Sequence, residues 1–207
     1  QMAMAGEYPD KVIACFGGGS NFSGLAFPFM RHNLLDGKQT EFIAAEPSSC
    51  PKLTRGKFEY DFGDEAGYTP LLPMYTLGHD FKPANIHAGG LRYHGAGTII
   101  SQLVKDKLMH GVDIPQLEAF DAGLLFSRTE GIIPAPESCH AIACTIREAK
   151  KCKETGEAKV LLFSLSGHGL IDMTAYESYL SGDLRNYTIS DEDIAQSLQN
   201  VPQVPMK

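Results

Sequence analysis

Gly17-Gly18-Gly19-Ser20-Asn21 stands between an apolar run and a helical pattern. Three glycines let a ligand approach the backbone closely. The helix start beyond them aims free N–H groups outward, and Ser20 and Asn21 add side-chain donors. Phosphate is the ligand such a loop suits. The spacing is not the dinucleotide motif G-x-G-x-x-G, because Asn21 and Phe22 fall where a third glycine belongs. Nor does a Gly-Lys-Ser/Thr follow, as a P-loop requires. A Gly-rich turn without a ligand is the competing reading.

Two further segments carry polar groups at expected element ends. Leu165-Ser166-Gly167-His168-Gly169 follows a continuous apolar run. Ligands of open parallel sheets sit beyond the carboxyl ends of the strands, so Ser166 could face the same crevice as the glycines. A neutral hydroxyl can donate to a ring nitrogen or accept from it; a plain turn with a capping serine is equally compatible. In Glu130-Gly131-Ile132-Ile133-Pro134-Ala135-Pro136-Glu137-Ser138, two prolines deliver Glu137 and Ser138 to a helix start, where a carboxylate is favoured. On local grounds Glu137 reads first as a helix-capping charge. The histidines at 32, 79, 87, 94, 110, 140 and 168 form neither H-x-x-x-H nor H-E-x-x-H, and Ser166 lacks a G-x-S-x-G elbow. A zinc hydrolase and a serine hydrolase are both disfavoured.

The elements that must position these residues alternate between strand and helix. Val12–Phe16, Glu41–Ala45 and Lys159–Leu165 read as buried strands. Phe22–Met30 reads as a helix, as does a segment with Ile99, Leu103 and Val104 on one face that ends before Gly111. Leu117, Phe120, Leu124 and Leu125 mark another helix, stopped by Gly131, and Ser138–Lys153 a fourth, with Gly156 as its C-cap. Ser190-Asp191-Glu192-Asp193 resembles a capping box before a short last helix, and the tail from Val201 is expected to fray. Residues 51 to 97 are weakly periodic and rich in Gly, Pro and Tyr, a loop long enough to suggest function. The pattern predicts an α/β domain of three layers, with a mostly parallel central sheet flanked by helices. Residues 1–185 would form the main unit and 186–207 a short helix and tail.

Composition agrees: 207 residues, 43% hydrophobic and 21% charged, suit one globular α/β domain. Eighteen basic against 25 acidic residues give a formal charge of −7, which disfavours nucleic acid as a partner. No apolar run approaches the roughly 20 residues that span a bilayer. Five cysteines without a C-x-x-C pair read as reduced thiols, so the cytoplasm is the expected compartment.

Taken in order, C-x-G-G-G-S-N, H-A-G-G-L-R-Y-H-G, T-E-G-I-I-P-A-P-E-S-C-H-A and L-S-G-H-G resemble the carboxyl-terminal part of tryptophan synthase beta chains, of the divergent second type. The resemblance runs from about Val12 to Leu184. It implies a pyridoxal 5'-phosphate enzyme of fold type II that joins L-serine and indole into L-tryptophan and water. Gly17, Gly18, Gly19, Ser20 and Asn21 would then cradle the cofactor phosphate. Ser166 would hydrogen-bond the pyridine nitrogen, and Glu137 would lie close to the ring. Backbone carbonyls of Gly17, Tyr93 and Gly95 match the family's monovalent-cation site, for K+ or Na+. A homodimer is implied. Arg92 stands where the usual type carries an Asp that takes part in signalling to the alpha chain, which puts that partner in doubt.

One part of the family's machinery is absent. None of the twelve lysines stands in the His-Lys-x-Asn setting of the Schiff-base lysine, so no catalytic residue is assigned within the chain. The chain also begins with Gln, as a piece of a longer protein would. The reading is thus a cofactor-binding carboxyl-terminal domain, inactive alone. The alternatives are another fold type II enzyme, such as a threonine or cysteine synthase, or a non-catalytic module that binds a phosphorylated ligand.

Overall fold

The computed structural model describes residues 1–204. After a short helix α1 (Met2–Ala5) the chain enters β1 (Lys11–Cys15), α2 (Ser20–Asp36) and β2 (Glu41–Pro47). A hairpin of β3 (Lys57–Asp61) and β4 (Leu72–Thr76) follows, then a 3-10 turn at Gly89–Leu91 and α3 (Thr98–Lys105). The rest is β5 (His110–Ile114), α4 (Gln116–Glu130), α5 (Pro136–Thr155), β6 (Leu161–Phe163), α6 (Met173–Leu180) and α7 (Asp191–Ser197), closed by a 3-10 turn at Leu198–Asn200.

β5, β2, β1 and β6 form one sheet in that order, and every pair is parallel. β1 lies inside it, with Ile13 opposite Ile43 of β2 and Phe163 of β6. Its side chains alternate between two cores. Val12 and Ala14 pack with Phe22, Ala26 and Met30 of α2 and Ile100 of α3. Ile13 packs on the other face with Phe120 of α4, Cys139, Ile142, Ala143 and Cys144 of α5 and Tyr176 of α6. The sequence is continuously apolar there because both faces are covered. This is the three-layer α/β arrangement expected, and among the described residues no helix is long and apolar enough to cross a membrane.

Several expectations need correction. Residues 51–97 are not an unstructured loop, since they contain the β3–β4 hairpin. Lys57-Phe58-Glu59-Tyr60-Asp61 does alternate polar with aromatic, but only over five residues. β5 was not foreseen, because its Gly111 and Asp113 dilute the apolar signal of an edge strand. The buried face of α3 is turned by one position. Ile99 is exposed and Ile100 is buried, because the Ser101 hydroxyl accepts from the Tyr75 N–H and donates to the Ala96 carbonyl. Leu125 likewise faces solvent while Ala119, Phe120 and Ala122 make the buried face of α4. β6 is shorter than predicted. Val201 does not fray: it is buried with Leu77, Ile194 and Leu198. Positions 205–207 of the expected tail lie outside the described residues. The stops at Gly131 and Gly156 and the cap at Ser190, whose hydroxyl accepts from the Asp193 N–H, are as expected.

One ionic cluster ties β1 to α5. Lys11 Nζ lies 2.5 Å from Glu148 and 2.7 Å from Glu41, and Lys151 reaches Glu148 at 2.6 Å. Burial alone would raise the Glu148 carboxyl; hydrogen bonds from Lys11 and Lys151 outweigh it and hold it below the ordinary carboxylate range. A depressed folded-state value gives stability that is present above the unfolded value, about 4.3, and lost as pH falls through the folded one. Glu148→Gln should therefore lower unfolding free energy by about 1–3 kcal/mol at pH 7. That gap should shrink below about pH 4.3, which urea unfolding across pH checks.

Candidate functional site

β1 ends at the carboxyl edge of the sheet, and Phe16 stays tied to β2 through its N–H, which donates to the Ala45 carbonyl at 2.8 Å. The glycines then cross beneath the turn at 89–91. A Cβ on Gly17 would lie 2.3 Å from the Gly90 carbonyl oxygen, so only glycine fits. Gly19 takes φ 122 as the N-cap of α2, a conformation that L side chains rarely adopt, and no side chain caps the helix. The N–H groups of Ser20, Asn21 and Phe22 therefore have no intrahelical acceptor, and the positive end of the helix dipole adds to them. The result is an anion cradle at a strand end.

Facing it is the segment after β6, held by short bonds to the start of α5. Ala135 N–H donates to the Gly167 carbonyl at 2.9 Å and Gly169 N–H to the Ile133 carbonyl at 2.8 Å. Gly167 N–H donates to Ser138 Oγ, which lies 3.1 Å from Ser166 Oγ. Cys15 Sγ lies 3.8 Å from Ser166 Oγ. Burial pushes the Cys15 thiol up to about 11, so it is a neutral floor and not a nucleophile. Glu137, in the first turn of α5, accepts the Gly90 N–H at 2.9 Å and so also fastens the turn over Gly17. His140, one turn on, donates from Nδ1 to the Pro136 carbonyl; burial pushes it down to about 4, so it is neutral.

The two sides enclose a cleft of about 320 Å³. Gly17, Gly18, Gly19, Ser20, Asn21, Glu137 and Ser166, all singled out in the sequence, line it together. Cys15, Gly90, Leu91, Ala135 and Gly167 complete the wall and were missed as site residues. They contribute backbone and small side chains, which carry no chemical signature in a sequence. Among the described residues, no lysine lines the cleft. A larger cleft of about 510 Å³ lies between the 80–84 loop and the carboxyl-terminal helix, lined by Asp80, Lys82, Tyr187 and Asp193 among others.

Tyr93 and Gly95 do not line the cleft but stand behind it. The Tyr93 ring covers Gly18, its hydroxyl donates to the Gly63 carbonyl at 2.6 Å, and its own carbonyl accepts the Cys50 thiol at 3.0 Å. Gly95 bridges to Thr76 at the end of β4. Arg92 points outward, its guanidinium reaching Asn85 and the Pro83 carbonyl. Nearby, Lys52 is wholly buried beside Glu46, and nothing in the sequence pattern announced it.

The chain matches the family model described as "Pyridoxal-phosphate dependent enzyme" over residues 1–167. It is 55% identical over 185 residues to the tryptophan synthase beta chain 2 of Methanothermobacter thermautotrophicus, covering 89% of this chain and 43% of the relative. Identity to that of Aquifex aeolicus is 56% over 187 residues, with the same coverage. The chain thus spans less than half the length of these curated relatives. Among solved structures it superposes on a fungal L-serine ammonia-lyase from Rhizomucor miehei with a TM-score of 0.61 at 15% identity, covering 88% of this chain and 53% of that one. A threonine deaminase from T.th. gives 0.58 at 18%, covering 81% and 47%. At that identity the likeness speaks for the fold. The family-model match over residues 1–167 establishes that the chain belongs to the pyridoxal-phosphate dependent enzyme family.

Proposed function

We propose that this chain is the phosphate- and ring-binding half of a tryptophan synthase beta chain, an enzyme that joins L-serine and indole into L-tryptophan and water. The observation that carries the reading is the convergence on one cleft of a helix-start anion cradle and, across from it, a neutral serine hydroxyl. The identity of more than half to chains bearing that name favours this reaction over a threonine or cysteine synthase. Residues 1–185 are the binding unit in this reading, and 186–204 fasten its rim.

The donor set fits the cofactor. Free N–H groups at 20–22 and the side chains of Ser20 and Asn21 suit a phosphate dianion. When bound, pyridoxal phosphate supplies an electron sink for the amino-acid substrate's carbons. Ser138 accepts from Gly167 N–H and can then donate to Ser166, leaving the Ser166 proton for the pyridine nitrogen. A hydroxyl in that position hydrogen-bonds the nitrogen without forcing a charge on it, as an aspartate would. Glu137 is held by Gly90 N–H, which keeps its carboxylate at the edge of the cleft and off the cradle.

The lysine that links the cofactor is, in this reading, supplied by the part of the relatives' length that this chain does not span. The same holds for the groups that grip the serine carboxylate. A homodimer belongs, in this reading, to the whole enzyme, whereas Arg92, in place of the usual type's Asp, argues against coupling to an alpha chain. The cytoplasm is the matching compartment.

Pyridoxal phosphate added to the 207-residue chain should bind, and 31P NMR titration should show a shifted phosphate resonance. Gly17→Ala should abolish that shift, because the new Cβ meets the Gly90 carbonyl. Ser166→Ala should leave the phosphate shift in place while weakening affinity by about 1 kcal/mol, roughly fivefold. Serine and indole should yield tryptophan with the full-length protein and none with this chain alone; condensation of another nucleophile in preference to indole would reject the assignment.

A further inference from the structure

The wide cleft beside the carboxyl-terminal helix shares no lining residue with the one at the glycine loop. Its walls are fixed against each other. Asn200 Nδ2 donates to Asp80 Oδ2 at 2.6 Å, and the Ser197 hydroxyl donates to the Leu77 carbonyl. A Cβ on Gly78 would lie 2.2 Å from the Ser197 carbonyl oxygen, so the two segments touch main chain to main chain. Phe81 and Ile189, which line the space, are the outer members of the apolar cluster around Leu77, Ile194 and Leu198.

Two oxygens in these walls have no hydrogen-bond partner among the described residues: Ser49 Oγ and Asp80 Oδ1. Both residues line the cleft, and Ser49 is only 4% exposed. The buried acids Glu46, Asp61 and Glu148, by contrast, accept donors on both of their oxygens. An unmet polar group beneath the surface costs free energy, and a carboxylate oxygen costs the more. Asp80 and Asp193 stand against a single basic residue in the lining, Lys82 on the exposed rim. That balance disfavours a plain anion and suits a primary ammonium, whose three donors match Asp80 Oδ1 and the Ser49 hydroxyl. The torsion that turns an aspartate carboxylate is soft, so a small rotation brings Oδ1 to the cleft surface. The volume and the mix of apolar wall with few polar groups are those of a small-molecule site.

We propose that this cleft binds a free α-amino acid with a large apolar side chain, at a site separate from the glycine loop. Asp80 and Ser49 take its ammonium, Lys82 its carboxylate, and Phe81, Tyr187 and Ile189 its side chain. The bound molecule bridges the 80–84 loop and the 187–200 segment. The inference stands on this cleft alone and does not rest on the proposed function.

The test is titration of the isotope-labelled 207-residue chain, without cofactor, with L-phenylalanine, followed by amide NMR. Resonances of 80–84 and 187–200 should shift, and those of 17–21 should stay in place. Phenethylamine, which lacks the carboxylate, should bind several-fold more weakly, and hydrocinnamate, which lacks the ammonium, should not bind. Asp80→Asn should weaken L-phenylalanine roughly tenfold or more. Lys82→Met should bind L-phenylalanine and phenethylamine alike. If L-phenylalanine moves no resonance of 80–84 or 187–200, water alone meets the two oxygens and the proposal is overturned. Hydrocinnamate binding as tightly as L-phenylalanine overturns it too, as does a folded Asp80→Asn variant with wild-type affinity. Should that variant fail to fold, the three ligands compared on the wild type decide. A chain that binds no pyridoxal phosphate overturns the proposed function and leaves this result standing.

Discussion

A Cβ on Gly17 would sit 2.3 Å from the Gly90 carbonyl oxygen, and this close passage of two backbones determines the shape of the cleft. With Gly17 bare, the 89–91 turn can lie directly over the loop, and Glu137 can fix it there through the Gly90 N–H. The start of α2 is then left open toward Ser166. The same passage depends on β1 being inside the sheet, where pairing on both sides prevents the strand end from shifting. Loop, turn and helix start are therefore set by main chain, with side chains fastening them.

What a sequence reveals follows from that division. Ser20 and Asn21 were legible from the glycines before them, whereas Ser166 and Glu137 suited a turn cap and a helix cap equally well until the order of all four motifs was taken together. β1 and β2 were legible as well, because their runs are apolar on both faces. The edge strands were harder: β5 carries Gly111 and Asp113, and β6 is only three residues, so neither has a full hydrophobic period. Ile99 and Ile100 cannot be ranked by pattern alone, because the rotation of α3 is set by the hydrogen bonds of Ser101 to Tyr75 and Ala96. Lys52 was invisible for a different reason. A lysine in a polar loop reads as solvated, and only the fold brings Glu46 and Phe16 around it.

Similarity in shape and similarity in sequence carry different information here. Solved enzymes at 15–18% identity share the layered sheet, which fixes where a cleft can form but not what is done in it. The residues that would narrow the chemistry lie within the region shared at more than 50% identity with tryptophan synthase beta chains. The neutral surroundings of Ser166, with a protonated Cys15 beside it and an uncharged His140 in α5, favour hydrogen bonding over proton transfer at that end of the cleft.

β6 is the parallel neighbour of β1, yet it arrives late: Val160 N–H donates to the side chain of Asp10, 150 residues earlier. The carboxyl-terminal segment is equally remote from its partners, since Arg55 pairs with Asp191 and Leu77 with Ser197. During synthesis β1 and its glycine loop are made well before β6, and β1 lacks that neighbour until β6 follows. Parallel pairing over such separations is intrinsically slow and leaves an apolar strand edge exposed meanwhile. Ser166 follows that strand by three residues, so the loop and its counterpart meet when β6 pairs with β1. The anion cradle can thus take shape before the hydroxyl that faces it, and the two sides of the cleft are joined by the pairing of β6 with β1.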